Sequence, residues 1–531
     1  MTKSPLTLTV ISDIHYYSKE IGTSGKAYKF ANSKSQKLLA ESGEVLKSAF
    51  KQIAGDSRSD IILISGDITN NGELNSHREI IEMLRELKSR GKRVYAITAT
   101  HDYSSKGVSE AYRGDEKITT PAATRELLFD MYYEFGPDEA ISIHKKSMSY
   151  IVRLCDGYLL FALNDDSNLN GKSGFSDECF EWIKENAEKA REDGQIIIAM
   201  THHPLIAPSP IYELIGKGDM LGDYEKRIEE LADLGIQFIF TGHTHIHNIS
   251  SYQSVKGNVL YDICCASPIG YPGVIRSVTF NPAELKVDVS TDYVKNPVEF
   301  KKKGLEIKSV FENQLIGVIR NMIETAGNDI DKLAHLVTAI SIKPKVIYKF
   351  GWLIKPVFKI LNSLKLGTVA SWVKKETGLK KEEYKDIAGR KVVDLIAELA
   401  MNLYGGESRY SPETPTYKIT IGFLKIIDSI LKALHIDFKK LIKVSPSVSD
   451  FIRPLLYNPG IDSYSAELKI YPFESKDKLP DPEFNESVKD SRKGLPIVII
   501  SLILIIAFLP LWLIIILFSI VKNRIKFRKK Y

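Results

Sequence analysis

Thr241-Gly242-His243-Thr244-His245-Ile246-His247 follows the apolar run Ile236-Gln237-Phe238-Ile239-Phe240. The run has the length and composition of a buried strand, and Gly242 permits a tight turn where it ends. His243 and His245 are two residues apart, so an extended backbone there points both imidazoles the same way. Paired neutral imidazoles at a strand edge are metal-ligand chemistry.

The same arrangement recurs N-terminal to this stretch. Leu6-Thr7-Leu8-Thr9-Val10-Ile11 ends in Ser12-Asp13-Ile14-His15, Ile61-Ile62-Leu63-Ile64 in Ser65-Gly66-Asp67, Val94 to Ala99 in Thr100-His101-Asp102, and Ile196 to Met200 in Thr201-His202-His203-Pro204. Between them lie amphipathic helical patterns, one carrying Val45, Leu46, Ala49, Phe50 and Ile53, another Ile80, Ile81, Leu84 and Leu87. Further helices are expected around Phe180 to Ala190 and from Tyr224 to Leu234. Alternating strands and helices predict an α/β fold with function beyond the carboxyl ends of the strands. Seven of the 11 histidines (15, 101, 202, 203, 243, 245 and 247) fall at such ends, which favours a metal centre over scattered solvated side chains.

Ser149 to Leu154 and Tyr158 to Leu163 flank Asp156-Gly157 as a hairpin. Val259 to Ile263, Val274 to Phe280 and Leu285 to Val289 have the pattern of antiparallel strands closing the domain. A second sheet on the first predicts a four-layer α/β/β/α sandwich. The ligand candidates are Asp13, His15, Asp67, His202, His243 and His245, with Thr100 and His101 nearby. Mixed carboxylate and imidazole ligands suit Mn, Fe, Zn or Co. Six ligands exceed the needs of one tetrahedral ion and suit two divalent ions about 3.5–4 Å apart, a pair that clamps a phosphoryl group and supplies hydroxide at neutral pH.

In this order the motifs Asp-x-His, Gly-Asp, a degenerate Asn-His-Asp, His-His-Pro and Gly-His-x-His resemble the calcineurin-like metallophosphoesterase superfamily, over about residues 6–293. The resemblance implies that Asp13, His15 and His245 hold one metal, that Asp67 bridges, and that His202 and His243 hold the second. Where the family has an Asn ligand to the second metal this chain has Thr100, so Thr100 ligates directly, a water fills in, or the second metal binds loosely. The resemblance also implies that His101 contacts the phosphate and protonates the leaving oxygen. The expected activity is hydrolysis of a phosphodiester or phosphomonoester, cyclic nucleotide or lipid-linked phosphate included, by a metal-activated hydroxide. The alternative is a metal-binding regulatory pseudo-enzyme whose turnover Thr100 has weakened. His203, His247 and Asn71 are further candidates for substrate contact, and Tyr16 and Tyr103 for the pocket wall. Asn164 and Asp165 look like capping residues.

At 531 residues the chain exceeds one ordinary core. The expected division is a catalytic domain (1–293), a helical, basic accessory domain (294–475), a polar linker (476–494), an apolar membrane segment (495–521) and a basic tail (522–531). The apolar segment, as a helix, spans roughly 40 Å against a bilayer core of about 30 Å. No signal peptide is evident at the N-terminus, so the catalytic domain is expected to be cytoplasmic, on the cell membrane. Lys522, Arg524, Lys526, Arg528, Lys529 and Lys530 also favour the cytoplasmic side. Pro510 lets the segment be a re-entrant hairpin; a tail anchor and export of the whole domain are the rivals.

Val346 to Val373 and Phe423 to Val444 carry apolar residues at helical spacing among lysines. They read as core helices with a solvated basic face or as surfaces for anionic lipid. The net charge of +6 gives no reason to expect nucleic acid. The oligomeric state is left open. Cys155, Cys179, Cys264 and Cys265 show no disulfide framework, which suits reduced or buried thiols.

Overall fold

The computed structural model describes residues 3–166, 172–209, 217–329, 362–433, 447–474 and 476–479, with Tyr212, Asp331, Tyr348 and Asp437. The chain opens with β1 (Leu6–Ile11), α1 (Ser42–Ala54), β2 (Ile61–Ser65), α2 (Leu74–Ser89) and β3 (Arg93–Ile97). These three strands are parallel neighbours. A surface hairpin, β4 (Val108–Arg113) and β5 (Glu116–Pro121), comes next, and then β6 (Ala140–His144), β7 (Ser149–Cys155) and β8 (Tyr158–Ala162). β7 and β8 form the antiparallel pair that Asp156-Gly157 announces.

The second sheet is completed by α3 (Asp177–Glu192), β9 (Ile196–Met200), α4 (Tyr224–Asp233), β10 (Phe238–Thr241), β11 (Asn248–Gln253) and β12 (Val259–Cys264). Its order is β11-β12-β10-β9-β8-β7-β6. α3 shows how local sequence starts an element. Ser176 caps it by accepting from the Cys179 amide, acidic Asp177 and Glu178 open it, and Lys189 and Arg191 close it, matching the helix dipole. β13 (Val274–Asn281) and β14 (Lys286–Tyr293) return to the first sheet, antiparallel to β1 and to each other. One expectation needs correcting. β12 does not close the domain as an antiparallel strand beside β13; it lies parallel to β10 in the second sheet, because β11 first turns the chain back.

Leu8, Val10 and Leu63 of the first sheet meet Tyr150, Leu160, Ile198, Phe238 and Phe240 of the second in one buried layer. The outer face of the first sheet buries Ile62 and Ile64 under Val45, Leu46, Ile80 and Leu84, and that of the second buries Phe161, Ile197 and Ile239 under Phe180, Ile183 and Leu231. Both faces of each sheet are covered, so the strands are apolar throughout rather than alternating. This is the expected α/β/β/α order of layers.

After β14 the described chain is mainly helical: α5 (Ile307–Asn328), α6 (Val392–Gly405), α7 (Pro415–Ala433) and α8 (Val448–Leu456). α6 packs on α5 and α8, and α7 on α8. Their apolar faces, with Phe311, Leu315, Ile396, Leu399, Ile427 and Leu455, belong to the same buried cluster as α1 and α2. Phe423, Leu424 and Leu431, part of the second lysine-flanked stretch, are buried there too. The chain then re-enters the first sheet as β15 (Ser465–Lys469), antiparallel to β14 at the edge.

Among the described residues no helix is long and apolar enough to cross a membrane. The segment 495–521, the basic tail, the linker after residue 479 and most of the stretch 346–361 lie outside them. All four cysteines are free, and three of them are buried.

Candidate metal centre

The loops after β1, β2, β9 and β10 meet at one point. Asp13, His15 and His245 bring one ligand atom each to within 4.8 Å of one another, and so do Asp67, His202 and His243. His245 Nε2 lies 3.2 Å from Asp13 Oδ1 and 2.9 Å from His15 Nε2. His202 Nε2 lies 3.3 Å from Asp67 Oδ2 and 3.1 Å from His243 Nδ1. Asp67 Oδ2 is also 3.7 Å from His15 Nε2, which puts this carboxylate between the two groups.

The local backbone is not the extended one that the two-residue spacings suggest. Asp13, His15, Asp67, His243 and His245 all have φ between 44° and 64°. Five left-handed non-glycine residues at one place are strain that the surrounding fold must hold. Gly66 takes φ +98°, and a Cβ there would come within 2.6 Å of His202 Nδ1. Gly242 is needed for a different reason than turning: a Cβ would lie 2.0 Å from Ser12 Oγ and 2.4 Å from Asp13 Oδ2.

The donor set fits divalent cations. Asp13 Oδ1 and Asp67 Oδ2 are buried and accept no hydrogen bond, a costly state for a carboxylate that a cation relieves. The other oxygens are anchored: Asp13 Oδ2 accepts from the His243 amide at 2.9 Å and Asp67 Oδ1 from the His101 amide at 2.9 Å. His202 Nδ1 lies 2.8 Å from the Ser65 carbonyl, which only accepts. Nδ1 therefore carries a proton, and Nε2 is the ring atom that faces the cluster. Gln36 holds His245 Nδ1 at 3.0 Å, and Asp219 Oδ1 stands 3.7 Å from His243 Nε2.

Burial alone raises the pKa of Asp13 and Asp67, but the imidazoles around them outweigh it and hold both well below the usual carboxylate range. Burial pushes His202 down, and Asp67 more than reverses that, to about 10. Burial also pushes Asp102 up to about 7, with Asp67 adding to it. Asp102 accepts from the amides of Thr69 and Ala99, tying the turn that carries Thr100 and His101 to the loop after β2. Thr100 is half-buried in that turn.

The remaining candidates divide. His101 and Asn71 line a cavity of about 190 Å³ beside the cluster, and His101 Nδ1 donates to the Asn70 carbonyl. His203 is not among the grouped ligands. Its ring meets Asp165 at 3.2 Å and lies tilted by 43° against His243, with centroids 4.0 Å apart. Asp165 is thus an imidazole partner rather than a cap, while Asn164 does cap, accepting from the Asp166 amide. His247 is brought elsewhere, wholly buried with Arg276 and Thr291 each at 3.0 Å. Tyr16 donates to Glu79. Sequence reasoning missed Gln36, Asp219 and the tyrosines that line the cavity, namely 17, 28, 112, 212 and 404. No motif spacing marks them, because they arrive from separate loops, from the helix Gly25–Asn32, from β4 and from α6.

The paired clusters, side by side at the strand ends, are groups that could hold two divalent metal ions. Residues 6–247 match the family model for calcineurin-like phosphoesterase. A Mycobacterium tuberculosis (strain CDC 1551 / Oshkosh) protein named cAMP/cGMP dual specificity phosphodiesterase is 26% identical over 220 residues, covering 39% of this chain and 66% of the relative, just under two thirds of its length. A dimetal phosphatase from Danio rerio matches in structure with 12% identity and a TM-score of 0.39, over 54% of this chain and 95% of that one.

Proposed function

We propose that the chain hydrolyses phosphodiester or phosphomonoester bonds at the paired cluster. The observation that carries this is Asp67, whose buried Oδ2 lies 3.3 Å from His202 Nε2 and 3.7 Å from His15 Nε2, between the two imidazole–carboxylate groups. Asp13, His15 and His245 would hold one divalent ion, and His202 and His243 the other, with Asp67 shared and Thr100 or a water completing the second. Bound there, the ions would polarise the phosphoryl oxygens and lower the pKa of water. Asn71 and His101 border the space where the phosphoryl group would sit. The His101 Nδ1 proton is committed to Asn70, so Nε2 is the atom that delivers a proton to the leaving oxygen. Asp102, by pinning the turn before it, keeps that ring in place.

The name of the mycobacterial relative favours cyclic nucleotides among the substrates; a lipid-linked phosphate is the other candidate. The apolar segment 495–521 is read as a membrane tether, with the catalytic domain on the cytoplasmic side. In the second reading, which rests on Thr100 standing where the family has Asn, the site binds metal with weak turnover. Hydrolysis of bis-p-nitrophenyl phosphate with Mn added tests the first reading. Asp67→Asn is expected to abolish it, by at least a hundredfold, and equal rates in the two proteins would overturn it. Thr100→Asn is expected to tighten binding of the second Mn ion, measured by calorimetry. Unchanged affinity would remove the weak-turnover reading.

A further inference from the structure

We infer that Asp219 is a positioning residue for the second metal. Its carboxylate holds the outer nitrogen of His243 and offsets the presence of Thr100 where the family has Asn; this rests on the two-ion reading above. His243 Nδ1 lies 3.1 Å from His202 Nε2, on the cluster side of the ring, and Nε2 faces Asp219 Oδ1 at 3.7 Å. Asp219 is 2% exposed, ends the short turn Lys217–Asp219 and lines the cavity beside the cluster. The chain just after that turn is fastened to the loop that carries His202. The Leu221 amide donates to the Pro204 carbonyl at 2.9 Å, and Ser173 Oγ donates to the Met220 carbonyl at 3.2 Å. The His243 ring also packs against His203, which Asp165 holds in turn.

What marks Asp219 is its charge together with its place. The outer nitrogens of the ligand imidazoles meet different groups. His202 Nδ1 has the Ser65 carbonyl and His245 Nδ1 the side-chain amide of Gln36, both neutral. At His243 the group is a carboxylate. A carboxylate facing one imidazole nitrogen favours the tautomer with the proton there, fixes the rotation of the ring and makes the other nitrogen a stronger donor to a cation. A threonine hydroxyl is a shorter and weaker neutral ligand than an asparagine amide. The anionic partner therefore falls on the ion that lacks the asparagine, and a stronger His243 offsets a weaker position 100. Asp67 is the carboxylate within that ion's group, so Asp219 brings a second negative charge near it. In a buried site such a charge attracts a divalent cation even without touching it.

The test is a calorimetric Mn titration of the full, metal-free chain, in which the ion at His202 and His243 is expected to be the more weakly held of two. Asp219→Ala is expected to weaken that ion by about tenfold or more and to leave the tighter one within about twofold. Asp219→Asn, which keeps the shape and loses the charge, is expected to weaken it several-fold. Adding Thr100→Asn to Asp219→Ala is expected to recover most of the loss, which a merely structural role for Asp219 does not allow. Wild-type affinity for both ions in Asp219→Ala would overturn the inference, as would an equal loss at both ions or a double variant that binds no tighter than Asp219→Ala. Melting of the metal-free proteins checks the fold. Where Asp219→Ala does not fold, Asp219→Asn decides, and wild-type affinity for both ions in that protein overturns the inference. Two Mn ions bound by the wild type without turnover of bis-p-nitrophenyl phosphate overturn the hydrolase reading alone. Fewer than two bound overturn the inference.

Discussion

His77 shows how a residue far from the ligand motifs supports them. It is buried on α2, with Nε2 donating to the Asp102 carbonyl at 2.8 Å and Nδ1 facing the Tyr132 hydroxyl at 2.7 Å. Burial lowers its pKa to about 4 from an ordinary 6.5. A depressed histidine contributes stability that is present above about 6.5 and lost as pH falls toward 4, since only the unfolded chain then takes the proton freely. The shift corresponds to about 3 kcal/mol. His77→Gln is therefore expected to flatten the fall in urea-unfolding free energy between pH 6.5 and 4; an unchanged slope would show that His77 carries no such linkage. At the same scale, Gly66→Ala adds a Cβ at positive φ against His202. It is expected to cost more than about 1 kcal/mol and to lower metal occupancy. Melting and metal analysis of the purified protein check both, and normal occupancy would show that the turn absorbs the methyl group.

At the scale of elements, the strand ends that carry the ligands were legible. β1, β2, β9 and β10 are short apolar runs, each followed by its motif, and burial on both faces leaves that signature in any sequence. The β4–β5 hairpin, β6, β11 and β15 were not legible. They are edge or surface strands: in β4 only Ala111 is buried, and in β15 only Leu468. Their pairing depends on partners far away in sequence. β15 joins β14 across more than a hundred residues, so its five residues cannot announce it. Removing residues 465–531 bares the edge of β14 and is expected to lower the melting temperature by several degrees and promote association through that edge. Removing only 480–531 is expected to leave melting unchanged. Equal melting of the two truncated proteins would show that β15 is dispensable.

For the whole molecule, the helical half shares a core with the catalytic sheets and delivers Tyr404 to the cavity. Of these helices α6 reaches the cavity, through Tyr404. Past β15 the chain crosses the amino-terminal edge of the second sheet, where Tyr471 and Glu474 donate to Gln237 and Asn258 and Leu479 to Gln253. That edge is opposite the metal cluster. Leu479, the last described residue before the proposed tether, thus lies on the far side of the described chain from the cluster. Fractionation tests the tether: the full chain is expected to pellet with membranes and resist a carbonate wash, and residues 1–479 to remain in the supernatant. A full chain found wholly in the supernatant would remove it.

What the sequence determined by itself is the metal chemistry and the layered α/β scaffold, because ligand spacing and apolar strand runs are local properties. Tertiary structure alone decided how the ligands converge, through left-handed turns rather than extended strands, and that His247 joins Arg276 instead of the cavity. It also decided which tyrosines line the cavity beside the cluster. Those outcomes depend on contacts between separate segments, from 29 residues apart for His247 and Arg276 to 230 for Asp13 and His243, and no motif-length window of the chain contains both partners.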